Sequence, residues 1–139
     1  MEILLLDPLV LEISEGEGRR GYRGTVRIPR VGAFILQKTL ILDQRRQKRM
    51  KDLFYVFDLA EQAGEIGRKI DSDLSLLRDR IGPRKLRDGA LALRKDCADP
   101  AGTAIGKVLE QIPVEKRPAR RYITETFMNL AARLESVAA

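Results

Sequence analysis

Thr25-Val-Arg-Ile-Pro29-Arg-Val-Gly-Ala-Phe34-Ile-Leu-Gln-Lys38-Thr-Leu-Ile-Leu42 is the stretch on which the fold turns. Up to Pro29 the residues alternate in polarity as a half-buried strand does, and Pro29 limits any continuation of that strand. After Pro29 the spacing is helical. Val31, Phe34, Ile35, Leu36, Leu40, Ile41 and Leu42 cover most of a helix circumference, which predicts a buried helix rather than a merely amphipathic one.

Upstream of this switch, Glu2–Leu6 and Leu9–Ser14 read as two short β-rich runs separated by the turn dipeptide Asp7-Pro8, followed by a polar stretch holding Gly16, Gly18, Gly21 and Gly24. Downstream, every segment is helical. Leu53, Val56, Phe57 and Ala60 mark a second helix ending at Gly64, and Ile70, Leu74, Leu77 and Ile81 a third, closed by Gly82 where a left-handed cap is expected. A fourth starts at Pro83 with Leu86, Ala90, Leu93 and Cys97 on one face. Asp99 and Pro100 suit the N-cap and first turn of a fifth, which carries Ile105, Val108, Leu109 and Ile112. The last begins near Pro118, with Ile123, Phe127, Leu130, Leu134 and Val137. The expected fold is therefore α+β and mostly α: two or three short N-terminal strands, then a bundle of five or six helices. Residues 1–30 form the β segment and 31–139 the helical domain. Strands so few and short do not make a stable sheet alone, so the β segment either leans on the helices or completes a sheet begun upstream.

The 139 residues suit one domain, and 44% hydrophobic with 33% charged residues fits a globular chain. The net charge of +6 is unevenly spread. Residues 1–18 hold five acidic and no basic side chains, residues 19–51 hold eleven basic and one acidic, and residues 52–139 hold fifteen basic and fourteen acidic. The basicity belongs to one third of the chain. Histidine is absent, which removes histidine general bases, Ser-His-Asp and Cys-His arrangements and imidazole metal sites. The lone Cys97 makes neither an internal disulfide nor a Cys-rich zinc site, and no apolar run approaches the roughly 20 residues of a membrane span. With no signal-peptide pattern at the start, a reducing, cytoplasmic setting is the expectation.

Several motifs have an ordinary reading beside a chemical one. Gly16-Glu-Gly-Arg-Arg-Gly21 fits a dinucleotide pattern, but it lies between two strand-like runs and reads better as a hairpin loop. Asp71-Ser-Asp73 is an Asp-x-Asp pair, yet on a helix the two carboxylates point about 200° apart, which favours a solvated helix start over a metal site. Cys97 sits on a core face and reads as a packed small hydrophobe. Lys38 differs from these because its helix is apolar over most of its face, so the ammonium needs an anion, a cleft or a route to water. Arg45 follows seven residues later, and Asp52 seven after that. If the helix breaks between them, Asp52 falls at the N-terminus of the second helix; either geometry brings Lys38, an Arg and Asp52 into one neighbourhood. The ordinary reading, which spacing alone favours, is that Lys38 snorkels to the surface and Lys51-Asp52 is an exposed pair. The basic run Arg45-Arg46-Gln-Lys48-Arg49-Met-Lys51, with Arg19, Arg20, Arg23, Arg27 and Arg30 before it, suits phosphates of a nucleoside triphosphate, an RNA backbone or an acidic partner. Aromatics at 5% give little support to a stacking platform.

At Val26-Arg-Ile-Pro29, Phe34-Ile-Leu-Gln-Lys38, Arg45-Arg46 and Lys51-Asp52-Leu-Phe-Tyr-Val-Phe57-Asp58, the sequence resembles the nucleotidyltransferase-fold family that includes the AbiEii-like toxin enzymes. The likeness is clearest over residues 26–59, looser over 1–63, and does not extend into 64–139. It implies nucleotidyl transfer in which metal-bound carboxylates activate an acceptor hydroxyl, and Lys and Arg neutralise the triphosphate. In that family an earlier Gly-Ser turn and a strand Asp-x-Asp bind the triphosphate and two metal ions. This sequence has no Gly-Ser pair, and its Asp-x-Asp follows Lys38 instead of preceding it. What matches is the second half, which maps nucleotide or phosphate binding to Lys38, Arg45, Arg46 and Lys51, and a supporting catalytic role to Asp52. The family commonly places a second Asp three residues after the Lys-Asp pair; Tyr55 stands there, which weakens any role for Asp58.

The expectation is a truncated, C-terminal part of a nucleotidyltransferase, inactive alone, with Mg2+ and an NTP expected only for a complete enzyme, and with a nucleic acid or a protein as acceptor. The alternative is a small basic helical module that contacts nucleic acid or an acidic protein without any Lys38-centred pocket. A helical scaffold that oligomerises through exposed apolar faces is the third option.

Overall fold

In a computed structural model, which describes residues 3–13, 24–42, 46–62 and 64–139, the fold is α+β and mostly α: a two-stranded antiparallel sheet followed by six helices. The strands are β1 (Leu9–Ile13) and β2 (Gly24–Ile28); the helices are α1 (Val31–Leu40), α2 (Arg46–Ala60), α3 (Glu65–Ile81), α4 (Pro83–Cys97), α5 (Thr103–Glu110) and α6 (Arg120–Ala138). The switch from strand to helix falls at Pro29, where the sequence period changes.

Helix α1 forms the centre of the bundle and packs against α2, α3 and α4. Gly32, Ala33, Ile35, Leu36 and Thr39 are buried, so the expected buried helix is present. The other apolar stripes join it in one core, α6 through its packing on α2, α3 and α4. Leu53, Val56 and Phe57 of α2, Ile70, Leu74 and Leu77 of α3, Leu86, Ala90, Leu93 and Cys97 of α4, and Ile123, Phe127, Leu130 and Leu134 of α6 are all buried in one core. Each large aliphatic or aromatic side chain taken out of water in this way contributes about 1.5 to 3 kcal/mol before chain entropy is charged against it.

The start of α1 lacks a local cap, because Arg30 precedes it and makes no capping bond from its side chain. The orphan donor is met from elsewhere: the Gly32 amide donates to Asp73 Oδ2 of α3 at 3.0 Å. A β-carbon at position 32 would lie 2.5 Å from the Asp73 β-carbon and 3.2 Å from the Ile70 carbonyl oxygen, so only glycine lets α1 come this close to α3. Gly82 joins α3 to α4 with φ +89° and ψ 161°. That is a positive φ, as expected, but with extended rather than left-handed helical ψ, and Pro83 restarts a helix at once.

Two elements and the setting of one side chain differ from the sequence reading. Within the expected strand Glu2–Leu6, the described residues 3–6 are not extended: Ile3–Leu5 forms a single 3-10 turn, with Ile3 buried against the helices. Its apolar run serves burial, and the sharp turn at Asp7, φ +43°, is held by Arg30 Nε donating to the Asp7 carbonyl (2.6 Å) and by Arg80 Nη2 at 2.8 Å from Asp7 Oδ2. Helix α5 starts at Thr103, not at Asp99. The Asp99 carboxylate accepts the Ala101 amide (3.0 Å) and its carbonyl accepts the Gly102 amide (2.9 Å), which closes a separate turn before the helix. Finally, Asp73 does not stand at a solvated helix start, being 6% exposed and more than two turns into α3.

In the hairpin, Leu9 pairs with Ile28, Leu11 with Val26 and Val10 with Arg27. Leu9, Val10, Leu11 and Ile28 nevertheless remain exposed, so the ribbon contributes little to the core. At the far end, Arg78 and Arg87 donate to the Val137 and Ala138 carbonyls (2.9 and 3.4 Å), supplying donors to the last turn of α6.

Candidate functional site

Lys38 lies in the last turn of α1 and Asp52 in the second turn of α2, with the chain turning at Ile41 and Leu42 between them. Because the helix breaks, Lys38 faces back across the junction instead of continuing along one rod. Its Nζ is 3.3 Å from Asp52 Oδ2 and 5.5 Å from the centre of the Phe34 ring. Both charged side chains are about one quarter exposed, at 23% and 24%. Lys38 thus neither snorkels freely to water nor lies in a sealed pocket. It keeps one face of its ammonium against Asp52 and the aromatic ring, and an ammonium has three donors to distribute. Asp52 lies beyond the first turn of α2, so Lys38, rather than the backbone amides of a helix start, is its partner.

The neighbouring basic residues have separate placements. Lys51 is exposed, and so does not share the Asp52 direction. Arg46 opens α2 with its side chain outside the described residues; Arg45 and the glycine motif at 16–21 lie outside them altogether, as do Arg19, Arg20 and Arg23. Arg27 is exposed on β2. Arg30 is diverted from any phosphate role by its bonds to the Asp7 carbonyl and to Asp73 Oδ1 (3.4 Å).

The Asp-x-Asp pair diverges as helical geometry requires. Asp71 meets Arg133 of α6, 3.0 Å from Nε, while Asp73 meets Arg30 and the start of α1. Two carboxylates engaged on opposite sides of a helix do not fit a shared metal ion, and among the described residues no group of three or more His, Cys, Asp or Glu could hold one. Cys97 is buried, and burial first, with the Asp96 charge second, pushes its thiol up to about 12. It is a core residue, not a nucleophile.

Sequence reading missed a polar contact just beyond the end of α2. Tyr122 donates its hydroxyl to Glu61 Oε2 at 3.1 Å and sets its ring edge-on to Phe57, with centroids 6.1 Å apart. The Glu61 hydrogen bond is the main cause that holds the Tyr122 phenol above its usual value. A cleft of about 280 Å3 opens beside it, lined by Phe54, Phe57, Asp58, Glu61 and the 112–118 segment. Nothing local in either stretch signals this contact, because the partners are 61 residues apart. No helix among the described residues is long and apolar enough to cross a membrane. No protein-family model, curated protein or solved structure matches the chain.

Proposed function

We propose that this chain supplies the phosphate-binding part of a nucleotidyltransferase-like protein acting in the cytoplasm, and that it is inactive on its own. The observation that carries this reading is the Lys38–Asp52 pair: a lysine on an apolar helix, held by one carboxylate and one aromatic ring, about one quarter exposed, and followed in the sequence by the basic run Arg45–Lys51. Asp52 fixes the direction of the Lys38 ammonium. The remaining donors of Lys38, with Arg45, Arg46 and Lys51, neutralise phosphate oxygens of an NTP, and charge-assisted bonds of this type strengthen as charge accumulates on the leaving pyrophosphate. No metal-dependent step is assigned to these residues, because the carboxylates of Asp71 and Asp73 are engaged elsewhere. The acceptor, a nucleic acid or a protein, is bound by the rest of such an enzyme together with the later helices.

The test is NTP binding followed by calorimetry on the wild-type chain, Lys38→Met and a variant with Arg45, Arg46, Lys48 and Arg49 all changed to Gln. Loss of about tenfold in affinity for Lys38→Met, with the fold unchanged, is the expected result. If Lys38→Met binds as wild type while the fourfold variant loses RNA binding and its salt dependence, the chain is a basic nucleic-acid module instead. Incubation with labelled NTP and Mg2+ gives no transfer to any acceptor from this chain alone; robust labelling would overturn the proposal.

A further inference from the structure

On the side of the bundle formed by α4 and α6, a cleft of about 420 Å3 is lined by Arg87, Ala90, Leu91, Arg94, Glu135 and Ala139. Leu91 is 65% exposed, the second most exposed large hydrophobic residue among those described. At about 100° per residue, Arg84, Arg87, Leu91 and Arg94 share one stripe about 80° wide along α4, with the apolar side chain between the cations. Arg94 donates to Glu135 Oε1 through both Nε (2.6 Å) and Nη2 (2.5 Å), so its charge is met within the chain, whereas Arg87 donates Nη2 to the neutral Ala138 carbonyl (3.4 Å) and, with the exposed Arg84, keeps its charge at the rim. An exposed leucine over a partly apolar cleft, bordered by arginines, has the layout of an anchor pocket with a charged rim.

The occupant follows from charge. A second copy docking by two-fold symmetry would set the same arginine stripe against itself, which is repulsive. Nucleic acid would meet the arginines, but the apolar lining of the cleft is Ala90, Leu91 and Ala139, with no aromatic ring on which a base could stack. We infer that this face of α4 docks an acidic amphipathic helix of a partner protein, with one apolar side chain seated beside Leu91 and carboxylates on Arg84 and Arg87, clear of the Arg94–Glu135 pair. The face is separate from the Lys38–Asp52 junction, so the inference stands or falls independently of the proposed nucleotide chemistry.

The experiment uses the full chain, isotopically labelled for NMR, and a synthetic helix-forming peptide rich in Glu with two Leu spaced i, i+4. Saturable shifts confined to α4 and the last turn of α6 are expected. Binding should fall about tenfold for Leu91→Asp and for Arg84→Glu, both at exposed positions, with melting temperatures unchanged. A milder Leu91→Ser gives the same direction if Leu91→Asp perturbs folding. Four results would overturn the inference: equal binding of the peptide with both Leu changed to Asn, shifts that map elsewhere, tighter binding of duplex DNA at the same residues, or self-association of the free chain abolished by Leu91→Asp.

Discussion

The two ends of α1 each meet an aspartate from another helix, and the two contacts are built to different purposes. At the N-terminal end, Asp73 is 6% exposed, accepts the Gly32 amide and Arg30, and stands against a backbone that leaves no room for a β-carbon. At the C-terminal end, Asp52 and Lys38 are each about one quarter exposed and make one bond to each other at 3.3 Å. The first contact engages both oxygens of a carboxylate that is itself almost closed to water. The second leaves donors and acceptors unspent and facing solvent. Ion pairing alone does not mark a functional site, and the proposed function rests on that unspent capacity at a fixed position.

The comparison is broken most directly at Asp73. Asp73→Ala leaves the Gly32 amide without its cap and the Arg30 guanidinium with only the Asp7 carbonyl, and should cost about 2 to 4 kcal/mol in chemical unfolding. Asp73→Asn, which keeps an acceptor, should recover much of that loss. Equal loss in both variants would mean that the charge, not the capping bond, dominates. Gly32→Ala comes next, at about 1 to 3 kcal/mol, because the new methyl group meets the Asp73 β-carbon, which is fixed to backbone and cannot swing away. The two variants share one contact, so their double mutant should cost less than the sum.

At the other end the expected effect on stability is small. Lys38→Met keeps the stem that packs on the helix and removes one partly exposed pair, which should change unfolding by less than about 1 kcal/mol. The same change should lower nucleotide affinity about tenfold. A stability loss as large as that of Asp73→Ala would make Lys38 a structural residue and remove the contrast between the two ends.

How far the sequence reached is explained by which signals are local. The buried stripes of α3, α4 and α6 were legible because helical spacing records them within a few residues. Lys38 was conspicuous through its apolar neighbours, and Asp52 through its spacing from Lys38. The Asp73 cap was not legible, since its partner Gly32 lies 41 residues away and neither residue type announces the other. Glu2–Leu6 misled because a short apolar run is compatible with a strand or with a turn whose side chains enter a core, and only the packing of Ile3 decides between them. Asp99 was read as a helix cap because an Asx turn uses the same side-chain acceptor one step earlier in the chain.

A third polar contact extends the comparison to the exposed limit. Tyr122 is 45% exposed and donates to Glu61, so this contact is far more open to water than the one at Asp73. The hydrogen bond favours the protonated phenol, and the carboxylate opposes the phenolate; both raise the folded pKa above the ordinary value of 10.0. A group raised in this way favours the folded state fully below the unfolded pKa, and that contribution fades as pH rises through the folded one. At so exposed a position the signal is spectroscopic rather than energetic. In absorbance titrations near 295 nm, with Tyr122→Phe subtracted to isolate it from Tyr22 and Tyr55, the Tyr122 transition should lie above that of a free tyrosine. Glu61→Gln should bring it back down without a measurable change in unfolding. If the transition stays where it was, the neighbouring carboxylate is not what holds the phenol, and exposure has screened this contact as thoroughly as burial has strengthened the one at Asp73.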